Sequence, residues 1–182
     1  MLDKIGKLFF VWERFSNKCK CLNQLRQFRS VGNGCSLRGP GTFTGANITL
    51  GDNVTIGTNS VFLSSDAKIT IGNNVLFGPH VYIITGNHRV NVVGKYITEV
   101  TEKLPENDAD VVIHDDVWIG SGVIILKGVE VGEGCVIGAG SVVTKSLEPY
   151  GIYAGNPAKR IKDRFTPEEL DEHSRLMKER GE

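Results

Sequence analysis

The chain has 182 residues, with 21 Lys and Arg against 21 Asp and Glu, so its formal net charge is zero. A chain this balanced is not a general nucleic-acid binder, and its length fits one domain with one core. No apolar run approaches the ~20 residues of a membrane-spanning helix, and the longest N-terminal one, Leu8 to Trp12, meets Glu13-Arg14, unlike a signal peptide.

The charge is unevenly placed. Residues 1–30 hold seven Lys and Arg against two acids, a net +5, residues 31–157 hold seven against twelve, a net −5, and the tail from 158 has seven of each. The 22 glycines and 8% aromatics suit a repetitive chain with many corners. Cys19, Cys21, Cys35 and Cys135 match neither a disulfide framework nor a zinc spacing, which points to free thiols in a reducing, cytoplasmic setting.

Residues 2–29 predict an amphipathic helix with a break near Asn17. Ile5, Leu8, Trp12 and Phe15 share one face, Leu22 and Leu25 follow, and the other face is basic. Two readings suit such a helix. It packs on the rest of the chain or on a neighbouring subunit, or it lies peripherally at the inner leaflet of a membrane. Residues 1–30 are therefore set apart as one segment.

From about Arg38 the sequence repeats. Leu50-Gly51, Ile56-Gly57, Ile71-Gly72 and Phe77-Gly78 set a six-residue beat, and Ile113, Ile119, Ile125, Val131, Ile137 and Val143 keep it in strict phase. A fixed period means one unit stacked on itself. Six residues make a short strand plus a turn, and three such units close a triangular coil of eighteen residues with an aliphatic ladder inside. The glycines and the Asp52-Asn53, Asn73-Asn74 and Asp115-Asp116 pairs fall at corners, where φ > 0 or a tight bend is needed. Between Phe62 and Ile71 the phase slips by three, so the turn near Ser64–Lys68 must bulge outward. From Gly86 to Asp110 the beat is lost and then returns in phase, so residues 86–110 leave the coil as an extruded loop. Loops this long in a compact domain are usually functional. The solenoid domain is placed at 31–165. Thr166-Pro167-Glu168-Glu169 then opens a last helix, 166–182, with an N-cap, a first-position proline and a capping-box glutamate.

Three segments in order carry a resemblance to the hexapeptide-repeat acyltransferases. They are Thr85-Gly86-Asn87-His88-Arg89 at the mouth of the loop, the repeats running through Asp116–Gly122 and Ile137–Lys145, and Ala154-Gly155-Asn156-Pro157-Ala158-Lys159. The chain is most similar to the galactoside, xenobiotic (streptogramin) and polysaccharide O-acetyltransferases. The resemblance implies an all-β solenoid, a left-handed parallel β-helix, assembled as a homotrimer with active sites between subunits. It also implies acetyl transfer from acetyl-CoA as co-substrate to a hydroxyl of a sugar or glycan intermediate, with no metal.

On that resemblance His88 is the catalytic general base, a role suited to a side chain whose ordinary pKa lies near neutrality. No cysteine stands at an equivalent place, so transfer is direct, without an acyl-enzyme. Ser121 and Ala139 match donor-binding positions that act through the main chain, Trp118 matches a tryptophan near the donor channel, and Thr144 and Lys145 match a CoA-phosphate contact. Lys159 stands where some relatives have arginine, and Lys162 matches a further basic position. Asp66 matches an acceptor-binding aspartate of the galactoside enzymes. Asn59 is a second candidate, with its spacing to Asp66 one residue short, and Asn87 and Arg89 flank His88. Acetylation of an amino sugar or a streptogramin-type antibiotic stays open. So do two other classes, a zinc hydratase related to γ-type carbonic anhydrases, which would need His80, His88 and His114 on one metal, and a non-catalytic β-helix.

Overall fold

The computed structural model describes residues 2–181, without the side chains of Leu2–Ile5 and Leu8. Among the described residues, three parallel sheets form the sides of a prism. The first face joins Ser30–Val31, Ile48–Leu50, Ile69–Ile71, Val111–Ile113 and Glu130–Val131. The second runs from Ser36–Leu37 through Thr55–Ile56, Leu76–Phe77, Trp118–Ile119 and Val136–Ile137 to Gly151–Ala154, and the antiparallel Lys159–Asp163 closes it. The third joins Thr42–Phe43, Val61–Leu63, Tyr82–Ile84, Ile124–Leu126 and Val142–Val143. The chain visits them in turn, so it is a parallel β-helix, and its coil is left-handed, with a helix before it and one after. It starts at Ser30, earlier than the beat from Arg38 indicates.

The predicted ladder is the core. Ile113, Ile119, Ile125, Val131, Ile137 and Val143 are all buried. Each such side chain contributes about 1.5–3 kcal/mol by leaving water. A second ladder stands two residues earlier in each unit. Val111, Val117, Val123, Val129, Cys135, Ser141 and Leu147 are buried too. Where this ladder holds Ser60 and Ser141, each hydroxyl donates to the carbonyl three residues back, Gly57 at 2.9 Å and Gly138 at 2.6 Å. Toward the N-terminal end Phe28, Phe43, Phe62 and Phe77 meet in a row, the first two pairs edge to face and the third tilted, with ring centres 5.3, 5.3 and 5.4 Å apart.

Corners use two devices. Asn53, Asn74 and Asp116 hold φ of 58°, 58° and 55°, the left-handed region that Asn and Asp tolerate best among side-chain-bearing residues. The glycine after each aliphatic residue is different, because it is a matter of close approach. A Cβ on Gly120 would stand 2.6 Å from the amide nitrogen of Ala139 in the next coil. Coils pair at a spacing of 18 residues from Val112 to Glu130 and 21 from Ile48 to Ile69. Those three extra residues fall in Ser64–Lys68, where Ser64 and Ala67 are buried and Ser65, Asp66 and Lys68 turn out to solvent.

Helix α1, Leu2–Leu25, is continuous through Asn17, so the predicted break is absent. Its second half sits on the first coil. Cys21 is buried, and the Gln24 carboxamide pairs with the Gly41 peptide, donating at 2.7 Å and accepting at 3.2 Å. Ile5 and Leu8, assigned to its apolar face, have side chains outside the described residues. Helix α2, Pro167–Arg180, has the predicted capping box, with the Glu169 amide donating to the Thr166 hydroxyl at 3.2 Å and the Thr166 amide donating to the Glu169 carboxylate at 2.8 Å.

Candidate active site

The site residues are sorted by edge. The first edge joins first face to second, the second edge second to third, and the third edge third back to first. The extruded loop leaves at the third edge. Ile69 and Val111 pair as neighbours across it although they are 42 residues apart. Its neck is a short antiparallel contact. The buried Thr85 carbonyl accepts from the Ala109 amide at 2.9 Å, Gly86 bridges Asp108, and the Asn87 amide donates to the Asn107 carbonyl at 2.9 Å. His88 is the next residue outward.

His88 is exposed and makes no hydrogen bond or ion pair among the described residues. It stands over an open cleft of about 420 Å³ walled by Leu63, Ser65, Ile84, Lys103 and Asp108. Lys103 crosses this cleft. Its ammonium donates to both Asp108 oxygens at 2.9 Å and to Asp66 at 3.4 Å. The Asp108 carboxylate, and more weakly Asp66, hold the Lys103 amine above its ordinary value against a desolvation effect of opposite sign. The bulged turn therefore brings Asp66 within reach of Lys103 beside the His88 cleft, and its carboxylate shares that cation with the loop.

Asn87 and Arg89 are committed to the loop. The Asn87 side-chain oxygen accepts from Asn107 at 3.1 Å and from Lys127 at 3.3 Å, and Lys127 also donates to the Glu106 carbonyl. Arg89 donates to Glu102 at 3.0 Å, and its Nε is buried with no partner among the described residues. Sequence reasoning missed Lys127 and Asp108. Lys127 had a signal, because it lies 18 residues before Lys145 and so on the same edge one coil away.

A separate group lies on the second edge. Ser121 and Ala139 occupy successive corners, both exposed, and their amides make no backbone hydrogen bond among the described residues. The turn at 155–158 continues this column below, since the Val142 amide donates to the Gly155 carbonyl at 3.0 Å and Ala158 donates back to Val142 at 2.8 Å. Lys159 pairs with Ala154 at its foot. Neighbouring Arg160 is bound to Asp163 and to the Tyr153 hydroxyl, whereas Lys145, Lys159 and Lys162 form no ion pair among the described residues. Asn59 shares this edge, at φ 57°.

The remaining residues stand elsewhere. Thr144 and Lys145 are on the third edge, two coils below the loop. Trp118 projects from the second face, 54% exposed, into a hollow with Leu76, Asp116, Val136 and Arg164. Lys162 pairs with Ile152 on the same face. His80, His88 and His114 occupy three different edges, and His114 is paired with Glu130 at 2.7 Å. Asp66 and His88 are thus together, Ser121, Ala139 and Lys159 are together, and the width of the third face separates the two groups. Six residues of extended chain make that roughly 20 Å.

The family model for "Bacterial transferase hexapeptide (six repeats)" matches residues 110–145. A probable macrolide acetyltransferase of Lysinibacillus sphaericus is 43% identical over 102 residues, covering 50% of this chain and 56% of that protein. The chain spans about half, or less, of the curated relatives it matches. Among solved structures, a maltose O-acetyltransferase of Clostridium difficile superposes with a TM-score of 0.70 at 36% identity, covering 79% of this chain and 73% of that one. A hexapeptide-repeat acetyltransferase of Vibrio cholerae, complexed with acetyl coenzyme A, gives 0.69 at 31%, covering 79% and 75%.

Proposed function

The chain belongs to the hexapeptide-repeat acetyltransferases, and we propose that it moves an acetyl group from acetyl-CoA to a hydroxyl of a sugar or glycan intermediate. The observation that carries this reading is His88, unpartnered among the described residues, at the neck of the extruded loop above a cleft crossed by Lys103, whose ammonium also reaches Asp66 at 3.4 Å. In the proposed step the acceptor hydroxyl gives its proton to a His88 ring nitrogen as its oxygen attacks the thioester carbonyl. The tetrahedral adduct then expels CoA thiolate, which takes the proton back from His88. No covalent enzyme intermediate is needed, because the thioester is already activated. Pantetheine is a chain of amides, and the unpaired Ser121 and Ala139 amides suit it, with Lys159 of the same column as a point charge for phosphate, while Lys145, on the third edge, would serve a donor held by a second copy's column.

The working unit in this reading is a homotrimer. The two halves of the site lie at opposite edges of the third face, so a second copy must bring its second edge against this copy's third. The third face suits such contact. Apart from Thr42, its outward side chains, Val61, Leu63, Tyr82, Ile84, Ile124, Leu126 and Val142, are largely apolar and partly exposed, whereas the first face turns out Ser30, Thr49, Thr70 and Glu130 beside Val112. The loop adds exposed Val90, Val93, Tyr96 and Ile97. Those same loop residues, with the macrolide relative, favour a second acceptor reading, a bulky apolar natural product bearing a hydroxyl.

The test is free-thiol release from acetyl-CoA against sugars, nucleotide sugars, amino sugars, macrolides and streptogramins, with wild type and His88→Ala side by side. We expect turnover on one acceptor class and a loss of about 10²–10⁴-fold in the variant with CoA binding kept. Unchanged turnover in the variant would sink the role of His88. Absence of CoA binding would sink the transferase reading.

A further inference from the structure

The first half of α1 is a surface that acetyl transfer does not use. Phe9, Trp12 and Phe15 are 63%, 63% and 65% exposed. At 3.6 residues per turn they form one stripe with Cys19, roughly opposite Cys21, Gln24 and Leu25, which seat the helix on the coil. The groove between helix and coil begins at Arg14, so Phe9, Phe10 and Val11 reach beyond it. A 24-residue helix is about 36 Å long, and close to half of it projects. Lys18 and Lys20 stand on either flank of the stripe, and with Arg14 they form no ion pair among the described residues. The Arg14 guanidinium lies 5.9 Å from the Phe10 ring centre.

We propose that α1 lies in the surface of an anionic lipid bilayer and carries the coil on its opposite side. Aromatic residues on one face and lysines at its flanks fit the boundary between acyl chains and negative head groups. The seating on the coil leaves that face turned outward. A second copy's helix is the less suited occupant, because the seven Lys and Arg against two acids in residues 1–30 would set helix against helix with like charge, and a second copy's acidic coil is the rival that the mass measurement below separates. The proposal does not depend on the acetyl-transfer reading.

Co-sedimentation of the full-length protein with vesicles of phosphatidylcholine alone, or with phosphatidylglycerol added, tests it at low and high salt. The protein is expected to pellet with the anionic vesicles at low salt and to be released at high salt. Trp12→Ser with Phe15→Ser should lower the partition about tenfold or more, and Lys20→Gln about fivefold. Circular dichroism and the mass from light scattering are read on the same samples. Recovery in the supernatant with anionic vesicles, or equal pelleting with neutral ones, overturns the proposal. A fall in assembly mass in the Trp12/Phe15 variant, with vesicle binding unchanged, overturns it in favour of a contact between copies.

Discussion

Tyr150 shows how one residue ties the end of the coil to its tail. It takes a corner at φ 52°, donates its hydroxyl to Glu133 at 2.5 Å, and packs its ring on Phe165 and His173 at 6.2 Å each. Burial first, then the Glu133 carboxylate it donates to, push its phenol up to about 12. A raised value means the folded protein holds the neutral phenol more tightly than the unfolded chain does. That stability is fully present below the ordinary tyrosine value of about 10 and is lost as pH rises through about 12. Thermal unfolding from neutral to strongly alkaline pH should show a fall in that window that Tyr150→Phe lacks, with a late phenolate step missing from its titration. Superposable titrations would mean the Glu133 contact is not formed. None of this was legible locally. Asn53, Asn74 and Asp116 announce left-handed corners by residue type, whereas Tyr150 and His80 do not. The Arg164–Asp116 pair, 2.7 Å apart and 48 residues distant in sequence, leaves no local mark. The lost beat marked the loop that His88 opens, but only the resemblance carried by Thr85–Arg89 set His88 apart from Arg89, Glu99 and Glu102 in the same loop. The Asn87 oxygen is held by Asn107 across the neck and by Lys127 of the next coil, pairings that no local spacing announces.

At the scale of the coil, spacing between turns is a hard constraint. A methyl group at Gly120 would face backbone atoms of the next coil, the Ala139 nitrogen at 2.6 Å and the Ile137 carbonyl oxygen at 2.8 Å, and neither can swing aside as a side chain would. Gly120→Ala should therefore cost about 1–3 kcal/mol, read as a lowered denaturation midpoint at unchanged slope. Wild-type stability in that variant would show that the coils can part locally. The six-residue beat made this stacking readable, because a triangular coil repeats its interior positions every six residues. The second ladder, Val111 to Leu147, keeps the same period but was masked by substitution, since Cys135 and Ser141 interrupt its aliphatic run. Helix α1 was legible as amphipathic, yet periodicity alone did not tell which half meets the coil. That depends on Gln24 reaching the Gly41 peptide, a contact 17 residues apart.

For the whole molecule, the decisive geometry is the width of the third face between His88 and the Ser121–Ala139 column. On the roles proposed for them, base and donor groove, these groups could not meet on a single acetyl group within one chain, about 20 Å apart across a rigid stack. A cyclic trimer resolves this if each cleft takes its base from one copy and its donor groove from the next. Two inactive variants then distinguish the arrangements. His88→Ala removes the base, and Ala139→Trp fills the groove while the His88 edge is untouched. Co-expressed in equal amounts and assembled at random, they should recover about one quarter of wild-type activity, since one site in four pairs an intact edge from each variant. Each variant alone stays inactive, and mixing preassembled trimers restores nothing until the subunits exchange. If base and groove belonged to the same chain, no mixture could regain activity. Recovery near one quarter would therefore place the reaction in the cleft between copies.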